Sequence, residues 1–517
     1  MKKNLNLLFE TKKSKIILKS FLVGILSSLI VIFYRTSLIY AEKFYFFINN
    51  YLANNKYYIP IWLITLVIIG FIVGKIIEIE PYSSGSGIPQ IKAFMGGYLI
   101  NRPVKTIIYK IIGGTLSIIG GLSLGREGPS VQLGGCTGDY LSKKFKSSPE
   151  EKHLLISSGA SAGLASAFNA PLAGVIFSLE EIYKYFSPLI LLSTITSAAT
   201  ADYISKEIFG LEPVFNFGTC PILPLKDYWL LIILGIILGI SGKIYNYSIE
   251  KIQYLYSLIK LRTPYKMILP FLLSGIIGLV YPYVSCGGHS MINELTINSS
   301  LFFLISLVTI KFLFSIISFG SGAPGGIFFP LLVIGGGIGA IFAYISINFF
   351  GINSNYFYNF IILSMAGYFT AIVKAPITGI ILITEMTTSF SHLLSFSIVS
   401  IIAYIVSDSL KSMPIYDFLL NNILKKNNKP YFSKENRNKI IITNVIQYNS
   451  KIENHTIKEI TLPSNALIIS IKRGLNSIVP KGTTLLKAGD EISILTDLKD
   501  ESKIREIINN LTKEINY

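Results

Sequence analysis

The stretch GREGPSVQLGG, Gly125 to Gly135, decides how this chain is read, because it sets an arginine and a glutamate side by side between glycines inside a long apolar region. Charges at membrane depth cost several kcal/mol unless they are paired or placed at a functional site. The surroundings impose a membrane. Of 517 residues, 51% are hydrophobic and 15% charged, with a mean hydropathy of +0.55. A soluble chain this apolar could not cover its own surface. Long apolar runs such as Ile59 to Ile77 recur from about Ile16 to Leu410, and each can span or re-enter a hydrocarbon core of about 30 Å.

The net charge of +17 fits either nucleic-acid binding or lysine-rich cytoplasmic segments, and the membrane character selects the second, with no nucleic-acid partner. Lys2, Lys3, Lys12, Lys13, Lys15 and Lys19 precede or open the first apolar run, and Lys425, Lys426 and Lys429 follow the last. Both termini are therefore expected in the cytoplasm of a multi-pass cell-membrane protein. The first run passes into Tyr34 and Arg35 without a small-residue cleavage site, so no cleavable signal is expected. Cys136, Cys220 and Cys286 lack metal-ligand spacing, and His153, His289, His392 and His455 form no HExxH-like pair. No metal or cofactor is expected; packing accounts for the cysteines, and solvation or packing for the histidines.

Self-similarity comes next, because repeated halves mark transporter folds. GREGPSVQLGGCTG from Gly125 matches GIFFPLLVIGGGIG from Gly326 at Gly, Pro, Gly, Gly and Gly, with Pro129 over Pro330, 201 residues on. NAPLAGVIFSLEE from Asn169 matches KAPITGIILITEM from Lys374, with Pro171 over Pro376, 205 residues on. The halves run from about 16 to 225 and from 226 to 420. Inversion of one against the other is an expectation from transporter folds generally.

Three stretches share one grammar of small residues, then proline, then an apolar run: SSGSGIPQIKAF from Ser83, GREGPSVQLGG, and GAPGGIFFPLLVIGG from Gly322. Proline suits the first turn of a helix, and the preceding glycines let backbone N–H groups face a ligand. A helix start carries about half a positive charge and free N–H groups, so each motif predicts an anion site at a broken helix within the membrane. Partial charges suit a conducted anion, which a lysine or arginine would hold too long. No GxxxxGK[ST] occurs, and SGSGIPQ lacks the context of a dinucleotide site.

Glu127 then reads as a competitor for the anion's own N–H groups. A proton would cancel its charge and let it swing away, making it a gate coupled to protonation. It is not expected to pair simply with Arg126, since neighbouring side chains diverge; no partner for Arg126 follows from sequence. A second acidic site, Glu180-Glu181, ends the helix opened by Pro171. Ten residues at about 1.5 Å each put Glu181 about 15 Å from that helix start, where a proton path would need its other carboxylate. The plainer alternative is that both glutamates merely end a helix.

Past Asn421 the composition turns polar. Residues 421–439 read as a linker, and 440–517 as a small cytosolic α+β module, with strands in KIIITNVIQY, ALIISIK and DEISILTDL and a helix in SKIREIINNLTKEI. Binding or assembly suits it better than chemistry.

Together GSGIP (Gly85 to Pro89), GREGP (Gly125 to Pro129), GIFFP (Gly326 to Pro330) and Tyr416 in PIYDF resemble the CLC family of chloride channels and chloride/proton exchangers, over roughly Ile16 to Leu420. The resemblance implies an α-helical polytopic membrane fold, an inverted repeat with broken helices spanning 1–420, and a homodimer with one anion pathway per subunit. It implies that Ser86 and Tyr416 coordinate chloride with the N–H groups of Ile327 and Phe328, that Glu127 gates the external side, and that Glu181 transfers protons internally. Glutamate at the Glu181 position marks exchangers in this family. Gln90 and Phe329 depart from the commonest family residues, and neither is an expected ligand. The tail, with VPKGTTLLKAGDEISIL from Val479, is similar to the C-terminal domain of potassium-conductance regulators (TrkA-C), with a small ligand of unspecified kind.

Three readings follow. The first is a secondary active transporter exchanging chloride for protons. The second is a passive chloride channel on the same fold, and the third a regulatory scaffold whose tail senses a ligand. None is an enzyme, and membrane lipid is the only other partner expected.

Overall fold

The computed structural model describes residues 12–184, 186–218, 220–427, 439–463, 465–474, 476–497 and 500–513; Lys2, Lys3 and Lys429, read above as cytoplasmic markers, lie outside them. The chain divides into two compact units, Met1–Lys426 and Asn427–Tyr517.

The larger unit is helical. Its first part contains α1 (Lys12–Asn54), α2 (Ile59–Ile79), α3 (Ile88–Met95), α4 (Pro103–Ile119), α5 (Glu127–Lys144), α6 (Pro149–Phe168), α7 (Pro171–Phe177) and α8 (Pro188–Phe209). Its second part contains α9 (Trp229–Leu258), α10 (Thr263–Val280), α11 (His289–Asn293), α12 (Leu301–Gly320), α13 (Phe328–Phe350), α14 (Phe357–Val373), α15 (Pro376–Thr387) and α16 (Leu393–Ser409). The two series correspond one to one, and α17 (Ile415–Lys426) follows without a counterpart. Among the described residues, eight helices are long and apolar enough to cross a membrane. Proline stands in the first turn of α2, α3, α4, α6, α7, α8, α10 and α15, where its missing N–H costs nothing.

The correspondence is a two-fold relation. Gly125 N–H donates to Gly326 O and Gly326 N–H to Gly125 O, both at 2.7 Å. Gly85 N–H donates to Gly322 O at 3.1 Å, and their counterparts at the spacing of 201, Cys286 after Gly85 and Gly121 before Gly322, make the equivalent bond at 3.2 Å. Lys110 Nζ donates to the carbonyls of Ser83 (2.9 Å) and Gly85 (2.6 Å); Lys311 Nζ repeats this on Val284 (2.9 Å) and Cys286 (3.1 Å). The left-handed φ of +99° at Gly87 recurs as +102° at Gly288.

The second repeat settles the direction. Beyond α7, Glu180 accepts from the N–H groups of Ile377 (3.3 Å) and Thr378 (2.8 Å), at the start of α15. Near the end of α15, Glu385 accepts from Leu172 (3.1 Å) and Ala173 (2.8 Å), at the start of α7. Each helix end reaches the other's beginning, so α7 and α15 run antiparallel and the halves are inverted. Each carboxylate meets the positive end of a helix dipole and orphan N–H groups.

The glycines of GREGPSVQLGGCTG divide by role. Cβ atoms at Gly134 and Gly138 would lie 2.0 and 2.1 Å from the carbonyl oxygens of Gly159 and Leu155, so these glycines bring α5 and α6 into backbone contact. Only those before Pro129 shape the helix start.

The smaller unit is a four-stranded antiparallel sheet of order β1-β4-β2-β3, from β1 (Lys439–Val445), β2 (Ala466–Arg473), β3 (Asn476–Ile478) and β4 (Glu491–Asp497), with α18 (Glu501–Thr512). Ile492 and Ile494 alternate inward on β4, a bulge between Ile468 and Ser470 turns both Ile468 and Ile471 of β2 to the same face, and these pack with Ile442 and with Ile504 and Ile508 of α18.

Candidate functional site

The three glycine-proline motifs meet at the two-fold relation. Ser86 lies between Gly85 (φ +61°) and Gly87 (φ +99°), a reversal that side chains resist on both flanks. Its hydroxyl packs where Gly128 has no side chain, since a Cβ there would come within 2.2 Å of Ser86 Oγ. Ser86 Oγ is buried and makes no hydrogen bond among the described residues. Tyr416, in the first turn of α17, is wholly buried, and its hydroxyl is likewise unpartnered. Two buried hydroxyls without partners are costly unless something polar fills the space beside them. The Phe177 ring joins this region to α13, lying edge-on to Tyr416 at 6.4 Å and to Phe328 at 6.1 Å.

Ile327 caps α13 and Phe328 is its first residue. The N–H that meets a carboxylate there is the next one, since Phe329 N–H donates to Glu127 Oε2 at 3.3 Å. Glu127 is fully buried, and its other oxygen makes no hydrogen bond among the described residues. Gly125 makes the placement possible, because a Cβ there would lie 2.3 Å from Glu127 Oε2. Arg126 does turn toward its neighbour, with Nε 3.9 Å from Glu127 Oε1, an ion pair too long for a hydrogen bond. A cavity of about 40 Å³ lined by Glu42, Arg126, Glu127, His289 and Phe329 adjoins the carboxylate. Ser86 borders a separate cavity of about 710 Å³, lined also by Gln90, Lys266, Lys425 and Lys426.

Glu180 and Glu181 part company. The α7 helix widens into a π-helical turn over Ser178–Tyr183, which aims adjacent carboxylates at different elements. Glu180 caps α15, as the plainer reading of helix-end glutamates allows. Glu181 is 3% exposed and accepts from Lys92 Nζ at 2.6 Å. Lys92 also holds Asp417 at 2.5 Å, and Lys184 binds Asp417 at 2.9 Å.

The sequence reading missed Lys92, Lys184, Asp417, Glu385 and the Phe329 N–H. A signal existed for some of them. Lys92 is the single charge in IPQIKAFM, Asp417 adjoins Tyr416, and Glu385 lies over Glu180 in the repeat. Intramembrane charges need partners, so these could have been matched.

Residues 65–408 match the family described as "Voltage gated chloride channel". The chain belongs to that family. Residues 443–509 match the TrkA-C domain. The "H(+)/Cl(-) exchange transporter ClcA" of Vibrio campbellii is 35% identical over 387 residues, 71% of this chain and 81% of that protein. The transporter of the same description from Vibrio cholerae is 33% identical over 419 residues, 78% of this chain and 89% of that protein. Among solved structures, a slow cyanobacterial Cl−/H+ antiporter superposes with a TM-score of 0.75 at 31% identity, covering 80% of this chain and 99% of its own. A CLC-type fluoride/proton antiporter shares the fold, with a TM-score of 0.64 at 22% identity over 77% of this chain and 96% of its own. The chain is thus a multi-pass membrane protein with a small C-terminal sheet domain.

Proposed function

We propose that this protein exchanges chloride for protons across the cell membrane. Chloride binds between the Ser86 and Tyr416 hydroxyls, with the N–H groups of Ile327 and Phe328 completing its shell. Glu127 gates the external side and Glu181 carries the proton internally. The observation that carries the reading is the Glu127 carboxylate at the start of α13, taking the Phe329 N–H as an anion would. Protonation frees that helix end for chloride, so each passage of the anion is tied to a proton on the gate.

The unit works as a homodimer with both termini in the cytoplasm. The membrane unit runs to Lys426, where α17 ends, rather than to 420 as the composition alone suggests, and the module that begins with β1 at Lys439 binds a small ligand. Exposed apolar side chains such as Leu192 on α8 and Ile405 on α16 face lipid or the second copy.

The test is chloride-driven proton uptake in proteoliposomes. The native protein is expected to move protons uphill, and Glu127→Ala and Glu181→Gln to pass chloride without them. Chloride flux with no uphill proton movement in the native protein would leave the passive channel. Absence of chloride flux, with binding to a channel subunit, would leave the regulatory scaffold.

A further inference from the structure

We propose that Lys92 and Asp417 form a proton-sensitive latch across the mouth of the chloride site, governed by Glu181. The proposal rests on the reading of Glu181 as internal proton carrier and of Ser86 and Tyr416 as chloride ligands. Lys92 lies on α3, directly behind the Ser86 loop, and Asp417 lies on α17, peptide-bonded to Tyr416. One ammonium thus joins the elements that carry the two hydroxyls, at 2.6 Å from Glu181 Oε1 and 2.5 Å from Asp417 Oδ1. Lys92, Glu181 and Asp417 are 8%, 3% and 7% exposed, so water competes little for these charges. Lys184 donates to the two oxygens of Asp417 at 3.1 and 2.9 Å. The charged or titratable groups facing Glu181 are Lys92 from α3, Lys184 at the end of its own turn, and Asp417 and Tyr416 from α17. Glu180 is turned to α15.

With Glu181 ionised, two carboxylates share Lys92 and the four charges sum to zero. A proton on Glu181 ends its claim on the ammonium, which settles on Asp417 alone. This tightens the hold of α3 on α17 that is already in place, keeps the Ser86 and Tyr416 hydroxyls closed on the anion, and leaves a net positive cluster beside it. Proton loading and chloride exchange through this mouth then exclude one another. Lys92, Asp417 and Lys184 are positioning residues, since they touch neither ion.

The experiment follows radiolabelled chloride exchange in proteoliposomes holding the full chain with Glu127→Ala, which removes the gate's own titration. Equal pH is set on both sides, near neutral and then about two units lower. Exchange is expected to slow roughly fivefold or more on acidification, in the range of coupling between linked sites. Adding Lys92→Met or Asp417→Asn is expected to flatten that dependence, and Lys92→Arg to restore it. Glu181→Gln is expected to hold exchange at the slow rate at both pH values. Should single variants fail to fold, the paired Lys92→Met and Asp417→Asn, which removes both charges, is expected to flatten it too. Full pH dependence in Lys92→Met or in the paired variant overturns the latch. If Glu181→Gln also retains it, the assignment of Glu181 falls with the latch; if Glu181→Gln alone abolishes it, only the latch falls.

Discussion

The two halves of the membrane unit share a backbone and divide its work. Lys110 and Lys311 are both wholly buried, and each ties down two carbonyls of the turn before a short helix. Glu180 and Glu385 cap each other's helices. At the positions read as functional the halves differ: Ser86 stands over Gly287 and Glu127 over Phe328 at the spacing of 201, and Glu181 over Met386 at the spacing of 205. Residues common to both halves build the frame. The Ser86 hydroxyl and the carboxylates belong to the first half, the Tyr416 hydroxyl comes from α17, which follows the second, and α13 of the second offers its N-terminus. The site is therefore made at the seam, where one half's side chains meet the other's helix start.

The largest effect should separate the odd members of these pairs. Glu181→Gln is expected to abolish proton uptake in liposomes, while Met386→Leu at the matched position leaves the coupling ratio unchanged; loss of coupling in both would break the division. Next come the shared lysines. Lys110→Met leaves the Ser83 carbonyl unpaired while Gly85 O keeps the Gly325 N–H at 3.1 Å, whereas Lys311→Met strips the carbonyls of both Val284 and Cys286, at about 1–3 kcal/mol per group, so the thermal unfolding temperature in detergent should fall in both variants and further in Lys311→Met. Equal losses would mean that these lysine–carbonyl bonds do not set the difference between the halves.

A smaller change is expected at the hydroxyls. Ser86→Ala or Tyr416→Phe removes one hydrogen bond to a charged acceptor, about 1.5–3 kcal/mol, and calorimetry should show chloride affinity weakened roughly tenfold or more. Glu180→Gln and Glu385→Gln should each lower stability by about 0.3–1 kcal/mol, the worth of a charge at a helix start, with proton coupling intact. Lost coupling in Glu180→Gln would make it more than a cap.

The smallest expected effect lies in the C-terminal unit, which has no repeat to compensate it. Burial alone would push the Asp490 carboxyl up, but paired bonds from Arg473 and the Lys487 N–H bring it below the usual carboxylate range. Its folded value being the lower one, it contributes stability above about pH 4, the ordinary aspartate value, and loses it as pH falls through the depressed value. Limited proteolysis of the tail should therefore quicken below about pH 4 in the native chain and already be faster at neutral pH in Arg473→Leu.

Much of this was legible in the chain. Glycine, proline and their spacing marked the helix starts because backbone freedom and a missing N–H are local properties of those residues. The alternating isoleucines marked the tail strands β1, β2 and β4, though not the short β3. Glu127 stood out as a candidate because a carboxylate between glycines at a helix start within an apolar region has few other readings, and it lies buried against the start of α13. Lys92, Lys184 and Asp417 were harder, since their partners are far away in the chain. Glu180 and Glu181 look equivalent in sequence, and only the π-helical turn separates a cap from a buried ion cluster.

By itself, then, the sequence determined the membrane setting, the two repeats and the positions of the glycine-proline helix starts, all consequences of composition and local conformational preference. Only the tertiary structure decided that the halves are inverted, that Phe329 rather than Phe328 meets the Glu127 carboxylate, and that Lys92 joins Glu181 to Asp417. Those facts depend on where antiparallel helices bring their ends, and in a membrane interior every charge must find its partner across that distance.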